Sequence, residues 1–360
     1  MKKTLLSLLL CLAILFAATG CGTLAELSLG TAWLGSGTER SGVTETLKYS
    51  VTFDENFTEG DSYSFKKDSA LDGLFYNYKN GEYTTTVSVI ERFNLPDNVK
   101  ESDIFTTHTI DTVYKITSEL KITAVYTTEE GEKEFNDSII TKSYVCNSSS
   151  AYAPVYSLTE YDCLIPMYKE AESNKKYMIA KETNRQKYVA EIFYNSSSYT
   201  LKTFDYDAYK ENPLVEPESS QEKNYTFKTV IDNNELLFAI RNCALVKDKS
   251  AVLPTISVAY VDYTNIAVKN NEELTLKLKN VSNNGAEITE EEVSASLFTF
   301  GKSDMSSGRS QLVYIQNKAS KNLAMKSLLV KYVTPLTMYT SSYYCMGAMV
   351  YTLNSVEFSA

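Results

Sequence analysis

Alternation of apolar and polar residues from Glu45 onward restricts this chain to a fold built mainly from β-strands. Leu47, Tyr49 and Val51 are separated by polar residues, which is the two-residue period of a strand with one buried face. The same alternation returns in residues 82–92. Tyrosine occurs 27 times and tryptophan once, and tyrosine, threonine and valine favour pleated, half-buried surfaces. We therefore predict a mainly β fold.

A long β-hairpin is predicted for residues 108–146. Its turn is Glu129-Glu130-Gly131-Glu132, because glycine adopts a positive φ at low steric cost. Further strands are predicted from the same alternation at residues 155–161, 175–182, 187–194, 198–206, 225–231, 255–263, 272–279, 310–316, 325–333 and 343–357.

Two short helices interrupt the strand pattern. Asp232 and Glu235 fit an N-terminal capping box, and apolar residues follow at helical spacing, ending near Cys243. The second helix is predicted to begin at Thr289, with Glu292 as its third residue, and to end near Gly301. The acidic residues at its start would be favoured by the helix dipole.

The N terminus has the layout of a secretory signal peptide over residues 1–20. Lys2 and Lys3 precede an apolar run that is too short to span a bilayer. Ala18-Thr19-Gly20-Cys21 resembles the lipobox of bacterial lipoproteins. That resemblance implies that the thiol of Cys21 carries a diacylglyceryl group. An ordinary signal peptide with an incidental cysteine is the alternative.

The expected location is therefore a membrane, by a lipid anchor and on the extracytoplasmic face. Two or three acyl chains anchor stably, because each buried methylene contributes about 0.8 kcal/mol. Residues 21–43 are predicted to be the lipidated cysteine and a flexible tether. The formal net charge of −10 disfavours nucleic acid as a partner, since phosphates are repelled.

The remaining residues, 44–360, are predicted to form a β-rich domain. A Pro- and Glu-rich stretch at 208–222 is predicted to be a loop. The domain therefore has one alternative division, into lobes 44–207 and 223–360 joined by this loop. In that case two β-sandwich lobes would replace a single curved sheet.

Four cysteines follow Cys21, and an extracytoplasmic location permits disulfides. We favour Cys146–Cys163 and Cys243–Cys345, although the sequence alone does not choose among the three connectivities. Four buried thiols are the alternative. The cysteine spacings do not match a metal site.

Three stretches together resemble a secreted bacterial domain family of unknown function. They are LKYSVTF (47–53), VIDNNELLFAIRNCAL (230–245) and CMGAMVYTL (345–353). The resemblance implies a curved antiparallel sheet, a LolA/lipocalin-like half-barrel, which a short helix crosses. Arg241 would lie near the end of that helix and Gly347 would begin the closing strand. The family implies a fold but no activity.

The sequence offers little catalytic chemistry. His108 is the single histidine, which excludes a site with several histidine ligands. Two Ser-x-x-Lys matches lack the partner motifs of penicillin-binding enzymes. We therefore expect a protein that is not an enzyme and needs no cofactor or metal, with glycan cleavage by paired carboxylates as the least excluded chemistry.

Two functions remain open. The first is binding of an apolar or amphiphilic ligand in the curved sheet, with Arg241 as a polar group at the mouth. The second is a surface adhesion module that contacts glycan or an envelope protein through tyrosine-rich stretches, since sugars stack on aromatic rings. The candidate tyrosines are Tyr152, Tyr156, Tyr161, Tyr343, Tyr344 and Tyr351.

Overall fold

A curved antiparallel sheet carries most of this chain. The computed structural model describes residues 26–27, 29, 44–74, 76–107, 112–146, 152–165, 168–170, 176–178, 185–243, 245, 247–256, 261–269, 274–302, 310–325, 327–339 and 343–359. Sixteen strands belong to one sheet. The predicted mainly β fold with a curved antiparallel sheet is therefore confirmed.

The first twelve strands contain the predicted hairpin. They are β1 (Thr44–Asp54), β2 (Asn56–Glu59), β3 (Tyr63–Lys66), β4 (Tyr76–Glu91), β5 (Thr112–Thr128), β6 (Gly131–Cys146), β7 (Pro154–Leu164), β8 (Tyr168–Glu170), β9 (Lys176–Met178), β10 (Arg185–Tyr194), β11 (Ser198–Asp205) and β12 (Ser219–Asn224). Strands β5 and β6 pair from Val113–Cys146 to Thr128–Gly131. The hairpin prediction is confirmed, with Gly131 at φ 112°.

The last strands close into a small five-stranded barrel. The strands of this half are β13 (Ile231–Asp232), β14 (Ser250–Ile256), β15 (Val261–Lys269), β16 (Thr275–Asn283), β17 (Ala286–Lys302), β18 (Gln311–Gln316), β19 (Leu329–Tyr339) and β20 (Tyr343–Ser359). Strands β17 to β20 are neighbours in order, and β16 pairs with both β17 and β20. Val281, Val293 and Leu353 are fully buried there, because alternate residues of a barrel strand face inward.

The first and last strands join the two halves of the chain. Strand β1 lies between β4 and β20 and is antiparallel to both. The sheet therefore runs from β12 through β1 and β20 to β13. One sheet spans the regions on both sides of residues 208–222.

Helices are few and short. They are α1 (Asp97–Lys100), α2 (Ile104–Thr107), α3 (Tyr206–Glu211) and α4 (Leu236–Ala239), with 3₁₀ turns at Ser69–Leu71, Arg92–Asn94, Asn233–Glu235 and Ile240–Asn242. The helix predicted from Thr289 to Gly301 is wrong, because those residues lie in β17. Val293, Ala295 and Leu297 are buried and the residues between them are less so. This is a strand alternation, which outweighs the acidic residues before it.

Residues 208–222 differ from the predicted loop. They include the end of α3 and the start of β12. Asp205 caps α3 by accepting a hydrogen bond from the Ala208 N–H at 2.9 Å. Strand β12 pairs with β11 from Ser198–Asn224 to Thr203–Ser219, so the stretch forms the edge of the sheet.

The N-terminal stretch predicted as a tether contacts the domain at residues 26, 27 and 29. Leu27 and Leu29 are buried. The Leu27 N–H donates to the Val252 carbonyl at 2.8 Å, and the Leu29 carbonyl accepts from the Tyr152 N–H at 2.9 Å. Two leucines that bury their side chains give this segment a hydrophobic reason to pack.

Candidate binding site

Residues 233–242 form a short helical segment, made of α4 between two 3₁₀ turns. The Asp232 carboxylate accepts a hydrogen bond from the Asn234 N–H at 2.6 Å, and Glu235 accepts from the Asp232 N–H at 3.3 Å. The predicted capping box is therefore confirmed. Leu236 and Phe238 are buried, so one side of the segment packs into the core.

Buried hydroxyl groups hold this segment on the sheet. Thr85, Ser118, Thr141 and Thr159 lie opposite one another across β4, β5, β6 and β7, and all four are buried. We call these four residues the hydroxyl row and the face that carries them the inner face. Ser118 and Thr141 share a hydrogen bond of 2.5 Å, and Thr159 accepts from the Asn234 amide at 3.0 Å. Hydrogen bonds are needed here, because an unpaired polar group is costly to bury.

Two buried carboxyl groups lie between the segment and the inner face. The Ser157 hydroxyl donates to Asp232 at 3.1 Å. Burial raises the pKa of Asp232 to about 6, although hydrogen bonds from Asn234 and Ser157 oppose the shift. Burial, together with the charge of Asp232, raises the pKa of Glu235 to about 8. Glu235 therefore holds a proton at neutral pH.

Arg241, the predicted polar group of the mouth, forms a buried ion pair. Its Nη1 donates to Glu45 Oε1 at 2.6 Å and its Nη2 donates to Glu45 Oε2 at 3.1 Å. Its Nε donates to the Ser327 carbonyl at 2.6 Å. The two side chains are only 2 % and 3 % exposed. Arg241 borders a void of only about 10 Å³. Its guanidinium group is therefore paired with Glu45 in the interior and does not lie at an opening.

A cavity of about 150 Å³ lies between the helical segment and the inner face. Its aromatic lining consists of Tyr83, Tyr332 and Tyr351. Its polar lining consists of Ser118, Thr141, Asn233, Asn234 and Gln311. Its aliphatic lining consists of Leu120, Ile139, Leu236 and Leu237. The helical segment thus forms one wall and the strands form the other.

The chemistry of this cavity is neutral and mixed. The lining side chains among the described residues are uncharged at neutral pH, and burial raises the pKa of Tyr83 to about 12. The ring of Tyr351 contacts those of Tyr83 and Tyr332, with centroid distances of 5.5 and 5.0 Å. Amide and hydroxyl groups beside aromatic rings can orient an uncharged polar ligand. The cavity therefore fits a neutral molecule with hydrogen-bonding groups.

The cavity is also small. Drug-sized ligands occupy pockets of roughly 300–1,000 Å³, and an apolar cavity of about 150 Å³ takes one benzene ring. The volume between the helical segment and the sheet, about 150 Å³, therefore suits a ligand, or part of one, of about one ring.

A second depression of about 330 Å³ lies where α1 meets the ends of β10 and β11. Glu101 and Lys202 are among its lining residues, and the Lys202 ammonium lies 5.3 Å from the Phe193 ring centroid. It is charged and has no counterpart to the hydroxyl row among the described residues. We therefore take the cavity under the helical segment as the candidate site.

The structure brings one of the six predicted tyrosines, Tyr351, to the candidate site. Tyr152 and Tyr156 are buried, and Tyr161 stacks on Tyr188 at 5.1 Å. Tyr344 packs against the core, and the side chain of Tyr343 lies outside the described residues. Sequence reasoning missed the other lining residues, which come from strands far apart in the chain. The pair Asn233-Asn234 beside the capping box was the available signal.

The favoured disulfides are absent, since Cys146, Cys163 and Cys243 are free thiols. The Cys163 thiol donates to the Ser138 carbonyl at 3.6 Å. Ser138 and Cys146 are eight residues apart on β6, about 26 Å at 3.3 Å per residue. A disulfide needs Cα atoms within about 7 Å, so Cys146 and Cys163 cannot pair in this fold.

Several predicted features lie outside the described residues, namely Cys21, the signal peptide and His108. Among the residues that the structure describes, no group of three or more histidine, cysteine or acidic residues could hold a metal ion. No helix among them is long and apolar enough to cross a membrane.

The fold and the site define a class: a mainly β protein with a curved sheet, a closed five-stranded barrel and a cavity walled by a short helical segment. Comparison with protein-family models, with curated proteins and with solved structures found no match to this chain.

Proposed function

We propose that this chain is a lipid-anchored protein of the extracytoplasmic face that binds a small uncharged ligand without transforming it. The cavity between the helical segment and the inner face carries the binding proposal. The lipobox resemblance at Cys21 supports the anchor. Acyl chains on that thiol would hold the domain at the membrane surface.

The size of the cavity limits which ligands can fit. An amphiphile would fit with a ring-sized neutral group in the cavity and its chain outside, since about 150 Å³ is too small for a long acyl chain. A sugar unit of a glycan is the second candidate, and the three tyrosines with neutral amide groups favour it. Both ligands use the same walls.

We favour binding over catalysis because the buried carboxyl groups serve as caps of the helical segment. Asp232 and Glu235 cap the helical segment, and Asp232 also accepts from Ser157. A catalytic acid or base must reach the proton that it transfers. Carboxyl groups bonded between the segment and the sheet serve to position the wall of the cavity.

Native mass spectrometry of the detergent-extracted protein tests the ligand. We expect a bound neutral molecule, or binding of added glucose, N-acetylglucosamine or octyl glucoside as probes. Gln311→Ala and Leu237→Trp should weaken binding at least tenfold, since the first removes a polar lining group and the second fills the cavity. Gln221→Ala, on the exposed edge strand β12, is the control and should bind normally. Equal loss in all three variants would contradict the assignment.

Labelled palmitate tests the anchor. We expect incorporation into the full-length protein and none into Cys21→Ser. Incorporation that persists in Cys21→Ser, or no incorporation into the parent chain, would contradict the anchor without bearing on the cavity.

A further inference from the structure

The docked residues 26, 27 and 29 determine how far the domain can stand from its proposed anchor. A free tether over residues 22–43 would reach about 75 Å, at about 3.5 Å per residue. Glu26 instead forms a β-bridge with Val252, and its carboxylate accepts from the Thr229 N–H at 2.8 Å. Glu26 is five positions after Cys21, which limits the reach to about 18 Å.

The direction of that bridge identifies the side from which the chain arrives. Glu26 and Val252 pair in parallel, so the chain has the same direction at both residues, and a tether leading to Glu26 would come from the side of the residues before Val252. Those are Ser250 and Lys249, at the start of β14. The anchor therefore approaches the domain near Lys249.

The surface at this point differs in charge from the whole chain. Among the described residues at this point, Lys228 and Lys249 are exposed and Lys247 is partly exposed, against the exposed Asp248 and the partly exposed Glu26. The formal net charge of the chain is −10. Lysines beside an anionic membrane surface are attracted to its headgroups. A local excess of positive charge at the anchored end suits anionic lipid headgroups.

We infer that the surface around Lys228, Lys247 and Lys249 lies against the membrane and contacts anionic lipid headgroups, an inference that rests on the proposed lipid anchor at Cys21. The turn of the β5–β6 hairpin lies at the far end of that hairpin from Cys146. The Leu29 carbonyl accepts a hydrogen bond from the Tyr152 N–H, and the Ala153 carbonyl accepts one from the N–H of Cys146, where β6 ends. The paired strands from Cys146 to Gly131 are about 50 Å long at 3.3 Å per residue. The hairpin turn should therefore point away from the bilayer.

Energy transfer to lipid tests this orientation. The full-length acylated protein is placed in vesicles of phosphatidylglycerol and phosphatidylethanolamine with a headgroup-labelled acceptor. A donor dye is attached to Lys228→Cys, Lys249→Cys or Glu130→Cys, and labelling of the parent protein is subtracted. We expect transfer at 228 and 249 to be at least twice that at 130. Equal or greater transfer at 130 would overturn the inference.

A linker insertion distinguishes the effect of the short connection between Cys21 and the domain from the effect of the lipid anchor itself. Fifteen glycine and serine residues between Gly22 and Thr23 should leave palmitate incorporation unchanged and lower transfer at 228 and 249. Unchanged transfer would show that headgroup contacts alone fix the orientation. If the parent protein takes up no palmitate, both the anchor and this orientation fail. If it does and 130 lies nearest the lipid, the orientation alone fails.

Discussion

Arg241 and Glu45 form a bidentate ion pair in the interior, with N–O distances of 2.6 and 3.1 Å. Arg241 lies in the last turn of the helical segment and Glu45 lies in β1, the first strand of the sheet. The pair therefore ties one wall of the cavity to the strand that joins the two halves of the chain.

Removing one member of this pair should destabilise the protein strongly. We expect Glu45→Ala or Arg241→Ala to lower the free energy of unfolding by about 3–5 kcal/mol, because the remaining charge stays buried and unpaired. The double variant Glu45→Leu/Arg241→Met should lose much less than the sum of the single changes. Urea unfolding provides the measurement.

The exposed pair Lys48–Glu357, at 3.1 Å with side chains 40 % and 46 % exposed, serves as the control. Truncating either residue should cost less than about 1 kcal/mol. Simple additivity of the Glu45 and Arg241 changes would contradict the coupling.

Glu235 should make stability depend on pH. Burial raises its pKa from the ordinary 4.5 to about 8, so the folded state binds the proton more tightly than the unfolded state. The free energy of unfolding should therefore fall as the pH rises from about 4.5 to 8. Glu235→Gln stays neutral and should remove most of that fall, on the order of 4 kcal/mol.

Urea unfolding at pH 4, 6 and 9 measures this effect. Parent and Glu235→Gln should differ little at pH 4 and most at pH 9, where the variant is more stable. Glu82→Gln, on the exposed side of β4, should follow the parent curve. A parent-like pH slope in Glu235→Gln would show that other groups dominate.

Gly347 should not tolerate a side chain. Its φ is +130°, and a Cβ atom there would lie 2.6 Å from the Asp54 carbonyl oxygen and 2.7 Å from the Glu55 Cα. Gly347→Ala therefore combines backbone strain with a clash between β20 and the end of β1. We expect a loss of about 2–4 kcal/mol in the free energy of unfolding.

Gly131 offers a matched comparison. It has φ +112°, and a Cβ atom added there would meet nothing within 4 Å, so Gly131→Ala adds strain without a clash. A cost of about 1 kcal/mol is expected. If thermal unfolding showed equal losses for both variants, the close approach at Gly347 would not be the cause.

Cys146 and Cys163 should be inert in the folded protein. Burial raises the pKa of each thiol to about 12, and thiolates rather than thiols react. Thiol titration with a chromogenic reagent should find both residues unreactive until urea is added. Non-reducing and reducing gels should show the same mobility, and a shift between them would contradict free thiols.

Local patterns predict the local features of this fold well. The β5–β6 hairpin and the capping box at Asp232 and Glu235 depend on residues close in sequence, and the structure confirms both. The helix predicted at Thr289 is wrong because three consecutive acidic residues resemble a helix start. The apolar alternation that follows them in β17 carries the correct information.

The candidate site depends on pairings that the sequence does not reveal. Tyr83 and Tyr351 meet because β1 lies between β4 and β20. Arg241 and Glu45 are 196 positions apart, so the sequence does not show which acid pairs with a basic residue in a predicted helix. The Cys146–Cys163 pairing is wrong for the same reason, since strand register decides the distance.

The position of β1 between β4 and β20 also governs the order in which the molecule can be completed. The meander from β5 to β7 has short connections and can assemble as soon as it is synthesised. One side of β1 has no neighbouring strand until residues 343–359 leave the ribosome, and the five-stranded barrel stays open until then. A chain interrupted near its end would thus expose a bare strand edge, a surface on which other chains aggregate.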